Sequence, residues 1–227
     1  MTTVVILQSN YIPWRGYFDL IRRADHFVFY DTVQYTKGDW RNRNRIVAAS
    51  GPLWLTLPVI TAGRLYQRID ETLVSDVGWA EKHVSVLKNT LGKAPLYASY
   101  LGPRLKEWYT ALSEERNLSR INRFFVEAVM AELGVSTSLH NSADLSQEGD
   151  RTGRLVSMCR ALGATHYLSG RSAQVYLDVG QFTTAGIAVE WMEYPAYPAY
   201  RQMNGSYEAG VSVLDALAHL GPEGLFA

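Results

Sequence analysis

Asp31 stands directly after the apolar run Phe27-Val28-Phe29-Tyr30, and a carboxylate so placed can act as a general base if burial raises its pKa. Asp19, upstream, reads instead as an early-helix residue that complements the helix dipole. Gln8 and Asn10 carry amides that both donate and accept, while Tyr11 and Trp14 add flat apolar faces with a polar edge. That set suits a polar, planar or ring-shaped ligand. It also suits a strand-to-helix loop whose amides cap the helix and whose aromatics close the core.

The segment Asp39-Trp40-Arg41-Asn42-Arg43-Asn44-Arg45-Ile46 alternates strictly. In an extended chain Trp40, Asn42, Asn44 and Ile46 face one way and Arg41, Arg43 and Arg45 the other. Adjacent guanidiniums repel one another unless solvent or an anion lies against them. They form the solvated face of an edge strand, which discourages aggregation, or one or two of them join Lys37 in holding a phosphate, pyrophosphate or carboxylate. Asn42 and Asn44 face inward and need partners, since buried amides are hydrogen-bonded. A ligand contact from at least one of Arg41, Asn42 and Asn44 is expected.

Trp79 and His83 share a helical face, where a single histidine is usually packed and hydrogen-bonded; if exposed, it is a second candidate base. Cys159 lies in the apolar helical run Leu155 to Leu162 with no electropositive setting that would make it a nucleophile. Ser169 and Gly170 follow a strand, where a glycine lets a backbone amide approach a ligand or simply turns the chain into a helix. The other histidines, His26, His140, His166 and His219, show no helical or hairpin spacing, so no metal site is read.

The elements that must position these groups begin with Val4 to Leu7, a β-branched run suited to a strand buried on both faces. A helix from Gly16 and a strand at Phe27 to Tyr30 complete a βαβ unit with a parallel pair. Gln8, Asn10, Asp31 and Gln34 then lie just past carboxyl ends of strands, where open α/β sheets bind ligands. A strand at Trp54 to Val59 is edged by Pro58. From Val77 to Leu133 the pattern is helical, with Gly134 as C-cap. Strands near Val135 to Leu139, at Tyr167-Leu168 and at Ile187 to Trp191, with a helix from Thr152 to Leu162, restore the alternation. Ser212-Val213-Leu214-Asp215 looks like a capping box opening a terminal helix. The aromatic, proline-rich stretch Tyr194 to Tyr200 is expected to lie over the sheet as a wall or lid. The expected architecture is α/β, a mostly parallel Rossmann-like sheet with flanking helices and a helical middle segment: one domain over 1–227, with 76–134 a helical subdomain or insertion.

Composition narrows the function. Lys plus Arg and Asp plus Glu are each 22 among 227 residues, so no global field draws the chain to a polyanion or an anionic membrane, and nucleic-acid binding is disfavoured. A single cysteine excludes an internal disulfide and fits the cytoplasm. No segment approaches the roughly 20 apolar residues that span a bilayer.

In order, Gln8 to Asp19, Asp31 to Asn44, Trp79 to His83, Tyr167 to Asp178 and the terminal helix after Tyr197-Pro198-Ala199-Tyr200-Arg201-Gln202 resemble the WbqC-like family, over nearly the whole chain. This chain departs at Ser9, where proline usually follows the glutamine, a difference read as conformational. It departs also at Ala199 and Arg201, in a tail commonly closer to His-Pro-x-Tyr-x-Gln. The resemblance implies a pathway that decorates polysaccharide sugars or builds natural products, with acyl or aminoacyl transfer to an amine. The expectation is a transferase acting on an amine of a sugar nucleotide or related metabolite, with Asp31 or His83 as base. Gln8, Asn10, Tyr11, Trp14, Gln34, Tyr35, Lys37, Trp40, Arg41, Asn42, Asn44, Ser169 and Gly170 form the binding set. No cofactor is evident; a thioester-activated donor and an acyl or aminoacyl carrier protein are the implied co-reactant and partner. A nucleotidyl-type transferase, whose paired-histidine signature is missing, and a non-catalytic binding protein are the alternatives.

Overall fold

Val4, Val5 and Ile6 are almost wholly buried, as an apolar run without alternation requires of a strand covered on both faces. In the computed structural model, which describes residues 1–227, they lie in β1 (Thr3–Leu7), the middle of a five-stranded sheet. Its neighbours are β2 (His26–Phe29), β5 (Ser138–Asn141), β6 (His166–Ser169) and β7 (Ala188–Trp191), in the order β5-β2-β1-β6-β7, and every pair is parallel. Helix α1 (Arg15–Arg22) joins β1 to β2, α5 (Arg151–Ala161) joins β5 to β6, and α6 (Val179–Thr184) joins β6 to β7. The expected parallel α/β sheet is thus present. Val4, Ile6 and Val28 pack with Leu155, Met158, Cys159 and Phe182 on one side. On the other, Tyr17 of α1 meets Phe27 at 5.5 Å between ring centres.

β1 pairs with β2 over four residues, but with β6 only at Thr3–His166 and Val4–Tyr167. The sequence reaches one side of the sheet from β1 through β2 and the other through β6, so this short ladder lies at the switch point, where open sheets bind ligands past the carboxyl ends.

Two compact units are distinguished: Met1–Ser9, Gly16–Val33 and Val135–Pro195 hold the parallel sheet, and Asn10–Arg15, Gln34–Gly134 and Ala196–Ala227 form the second. The second contains an antiparallel hairpin of β3 (Arg43–Ala48) and β4 (Gly51–Thr56). Its helices are α2 (Trp79–Leu91), α3 (Gly102–Ala111), α4 (Leu118–Glu132) and α7 (Val213–Leu220). Asn117 caps α4 through its side chain, and Gly134, at φ 63°, ends it as anticipated.

Several boundaries differ from the sequence reading for local reasons. The strand read at Trp54 to Val59 runs from Gly51 to Thr56, because it pairs with β3 through a two-residue turn and Pro58 falls beyond it. The strand read near Val135 to Leu139 starts at Ser138, since the Thr137 hydroxyl donates to Ile21 O and Ala24 O at the end of α1. Asp19 is not in the first turn of α1 but in its middle, fully buried, accepting from Arg22 and Arg23 at 2.8 and 3.1 Å. Asp215 closes no capping box. Ser212 caps α7, while the buried Asp215 carboxylate accepts from Val47 N–H at 2.9 Å, the Tyr200 hydroxyl at 3.0 Å and the Gln202 amide at 3.2 Å. Burial pushes the Asp215 pKa up, against the pull of those donors and His219. Here the matched Tyr200 and Gln202 of the tail have their structural use.

Candidate functional site

In the first unit the carboxyl edge of the sheet carries Gln8 after β1, Asp31 after β2, and Ser169 and Gly170 at the end of β6. Asp31 is buried, and its Oδ1 accepts from Ser9 N–H at 2.8 Å. A proline at position 9 has no N–H to give, so the departure from the family pattern is chemical as well as conformational. The Gln8 backbone carbonyl accepts from the Tyr17 hydroxyl at 3.1 Å, which fixes the loop, while its half-buried side-chain amide has no partner in the protein. Ser169 is buried, and its hydroxyl interacts with that of Tyr167. At Gly170 a Cβ would meet nothing nearer than Ser172 Oγ at 3.9 Å. Its packing does not demand a glycine, and its carbonyl accepts from Ala173 N–H at 3.0 Å.

The second unit places its candidates in two different settings. Asn10, Pro13, Trp14, Trp40, Asn44 and Gly210 line a cavity of about 260 Å³. Asn44 shapes it from β3: its Nδ2 donates to Tyr11 O at 3.2 Å and Ile12 O at 2.9 Å, and its Oδ1 accepts from Arg45 N–H at 2.8 Å. These bonds hold Ile12 at φ 37°, a left-handed conformation that a β-branched residue resists. Asn10 Oδ1 accepts from Arg41, which also pairs with Asp39 at 3.3 Å. The Asn10 Nδ2 group has no partner in the protein and remains free to donate. Trp14 takes the edge of Tyr197, with ring centres 6.0 Å apart. Neighbouring Arg15 lies over Tyr197 at 4.6 Å, so the aromatic tail backs this loop.

The inward alternation is present at Asn42, Asn44 and Ile46. Trp40 breaks it at 40% exposure, because β3 begins only at Arg43 and Trp40 sits in the preceding turn. Asn42 donates to Leu57 O at 2.8 Å, and its Oδ1 is buried without a donor. Gln34 is tied to Leu65 O at 2.7 Å, Tyr35 is buried with its pKa pushed up by burial, and Lys37 is exposed. These last three do not line the cavity.

Tyr11 and His83 belong to a sealed cluster. The Tyr11 hydroxyl lies 2.6 Å from that of Tyr109 and 2.7 Å from His83 Nδ1, while His83 Nε2 is 3.2 Å from Thr56 O. A carbonyl only accepts, so Nε2 carries the proton, Nδ1 accepts from Tyr11, and Tyr109 donates to Tyr11. Trp79 and Phe125 close over the rings. Burial drives the His83 pKa down to about 4 and leaves both nitrogens engaged. Cys159 is fully buried and its thiol is pushed up to about 12, a packing residue rather than a thiolate.

Sequence reasoning did not mark Gly210 or Trp54. Trp54 sits opposite Arg45 in the hairpin register, and a tryptophan within an apolar strand gives no sign of such a partner. His26 and His140 are also brought together, Nδ1 to Nε2 3.1 Å apart, by the parallel pairing of β2 and β5. No group of three or more metal-ligating side chains gathers anywhere, and no helix is long and apolar enough to cross a membrane.

An uncharacterized protein of Mycobacterium tuberculosis is 42% identical over 226 residues, covering 98% of this chain and 96% of that protein. No solved structure matches. The WbqC-like profile matches residues 8–226, from the Gln8 amide to the end of the tail, and the chain belongs to the WbqC-like protein family.

Proposed function

We propose that the chain is a transferase that moves an activated acyl or aminoacyl group onto an amine of a small metabolite, a sugar nucleotide or a relative of one, in polysaccharide or natural-product biosynthesis. The observation that carries this reading is the buried Asp31 carboxylate, fixed by Ser9 N–H at the carboxyl edge of a parallel sheet. In the proposed reaction Asp31 takes the proton from the amine as its nitrogen attacks the acyl carbon, and the donor's thiolate leaves as the tetrahedral intermediate collapses. The unpartnered Gln8 amide donates to the oxyanion, with Gly170 near the same strand ends. His83 takes no part, because both its nitrogens are committed and it stays neutral at physiological pH. The donor is a thioester, free or on an acyl or aminoacyl carrier protein, and the buried reduced Cys159 is consistent with work in the cytoplasm.

The test is mass spectrometry of amino sugars and amino-sugar nucleotides incubated with the protein and acyl or aminoacyl thioesters. Asp31→Asn keeps an acceptor for Ser9 N–H and is expected to slow transfer roughly 100- to 10,000-fold. Undiminished transfer by that variant would remove Asp31 from the reaction. The nucleotidyl reading is favoured by one observation, the strand order β5-β2-β1-β6-β7 with its short central ladder. Release of pyrophosphate from a nucleoside triphosphate, without acyl transfer, would put it first.

A further inference from the structure

The outer face of the β3–β4 hairpin holds two cations that the fold does not neutralise. Arg43 and Arg45 alternate on β3, which sets their side chains on one face about 7 Å apart. Unlike Arg41, which has Asp39, neither forms an ion pair. The Arg43 guanidinium lies over Trp54 at 4.2 Å; that of Arg45 lies 5.6 Å from Trp54 and 6.0 Å from Trp40. Each has a buried Nε–H with no acceptor in the protein, and a buried donor left unmade is costly. Their other bonds go only to the carbonyls of Gly38 and Gly210. Indole faces hold guanidiniums flat without cancelling their charge, so the forks remain available to an anion.

This face runs into the cavity described above. Trp40 stands 5.6 Å from Trp54, receives Arg45 and lines the cavity; Gly210 lines it too and accepts from Arg45. In the cavity, Trp14, Trp40 and the free Asn10 Nδ2 offer flat surfaces and a donor to a ring with polar edges. We infer that the second unit binds a nucleoside diphosphate, free or as part of a nucleotide sugar: its phosphates on Arg43 and Arg45, its ring in the cavity between Trp14 and Trp40. A polynucleotide is the less fitting ligand, since lysine and arginine are balanced by aspartate and glutamate, 22 against 22, and one small cavity takes one ring. The inference stands on the second unit alone and needs no step of the transfer reaction.

Calorimetric titration of the full chain at fixed ionic strength tests it, with UDP, ADP, uridine and inorganic pyrophosphate as probes. At least one diphosphate is expected to bind roughly 100-fold more tightly than uridine, each of the two guanidinium–phosphate contacts contributing about tenfold. The double variant Arg43→Gln/Arg45→Gln should lower diphosphate affinity about 30-fold or more and leave uridine unchanged. The Arg43→Lys/Arg45→Lys pair, which keeps charge and loses the forks, should fall between. Trp40→Ala should weaken UDP or ADP but spare pyrophosphate, and Arg120→Gln, an exposed arginine elsewhere in the unit, should change nothing. Absence of diphosphate binding by the unaltered protein overturns the inference. So does equal diphosphate affinity in the arginine double variant, or equal affinity for pyrophosphate and nucleoside diphosphate. Diphosphate binding lost with the arginines while no thioester donor is ever used would leave this site standing and sink the transferase.

Discussion

The second unit contains two clusters built from the same materials, aromatic rings beside basic nitrogens, and they are finished differently. Around Tyr11, His83 and Tyr109 every polar atom of the relay has a partner, the rings are buried, and the histidine is held neutral. Around Trp40, Arg43, Arg45 and Trp54 the rings are partly exposed, the cations lack counter-charges, and two N–H groups have no acceptor. A folded chain gains nothing by leaving donors and charge unsatisfied, whereas a ligand site must leave something for the ligand. Completed hydrogen bonding makes the first cluster structural, whereas the inferred diphosphate site rests on the charge that the second leaves uncancelled, although the sequence singled out members of the first, Tyr11 and His83, as readily as those of the second.

Stability measurements can break this distinction. His83→Ala removes a buried ring and strips the Tyr11 hydroxyl of its acceptor, and should cost about 3 kcal/mol in denaturant titration. Acid should reproduce much of that loss. With the folded-state pKa near 4 and the unfolded value at 6.5, the neutral ring's contribution is complete above pH 6.5. It is lost as the unfolded chain takes up a proton first, by about 3 kcal/mol in all as pH falls from 6.5 to 4. His83→Phe should flatten that part of the pH–stability curve; an unchanged slope would show that another group carries it. Asn44→Ala, which orphans the carbonyls of Tyr11 and Ile12, should cost about 2 kcal/mol and let the strained Ile12 relax. Tyr109→Phe removes one donor and should cost about 1 kcal/mol. The Arg43→Gln/Arg45→Gln pair should stay within about 1 kcal/mol of the parent, because exposed cation–π contacts are weak. If that pair were as damaging as His83→Ala, the open cluster would be structural too and the contrast would collapse.

What was legible in the sequence follows from the range of the forces involved. The β-branched Val4 to Leu7 run, the inward turn of Asn42 and Asn44 and the strand-end position of Asp31 are local consequences of periodicity and were readable. Trp79 and His83, at helical spacing, were readable as a packed pair. Trp54 beside the arginines depends on hairpin register, and His26 beside His140 on the pairing of strands more than a hundred residues apart; neither leaves a local mark. Asp215 misled because Ser212-Val213-Leu214-Asp215 has capping-box spacing, while tertiary structure offered the carboxylate a bare backbone amide at Val47.

That carboxylate also sets when the protein can be finished. The free edge of β3 is completed by Ser212 N–H on Arg45 O and by Asp215 on Val47 N–H, and Leu96 N–H is satisfied by Ala218 O. During synthesis these groups emerge from the ribosome long before residues 212 to 218 exist to meet them. The edge of the hairpin therefore stays open until residues 212 to 218 have been made, and long-range closure of this kind is slow and exposed to association. A premature stop that spares every candidate site residue would still leave the hairpin without its seal.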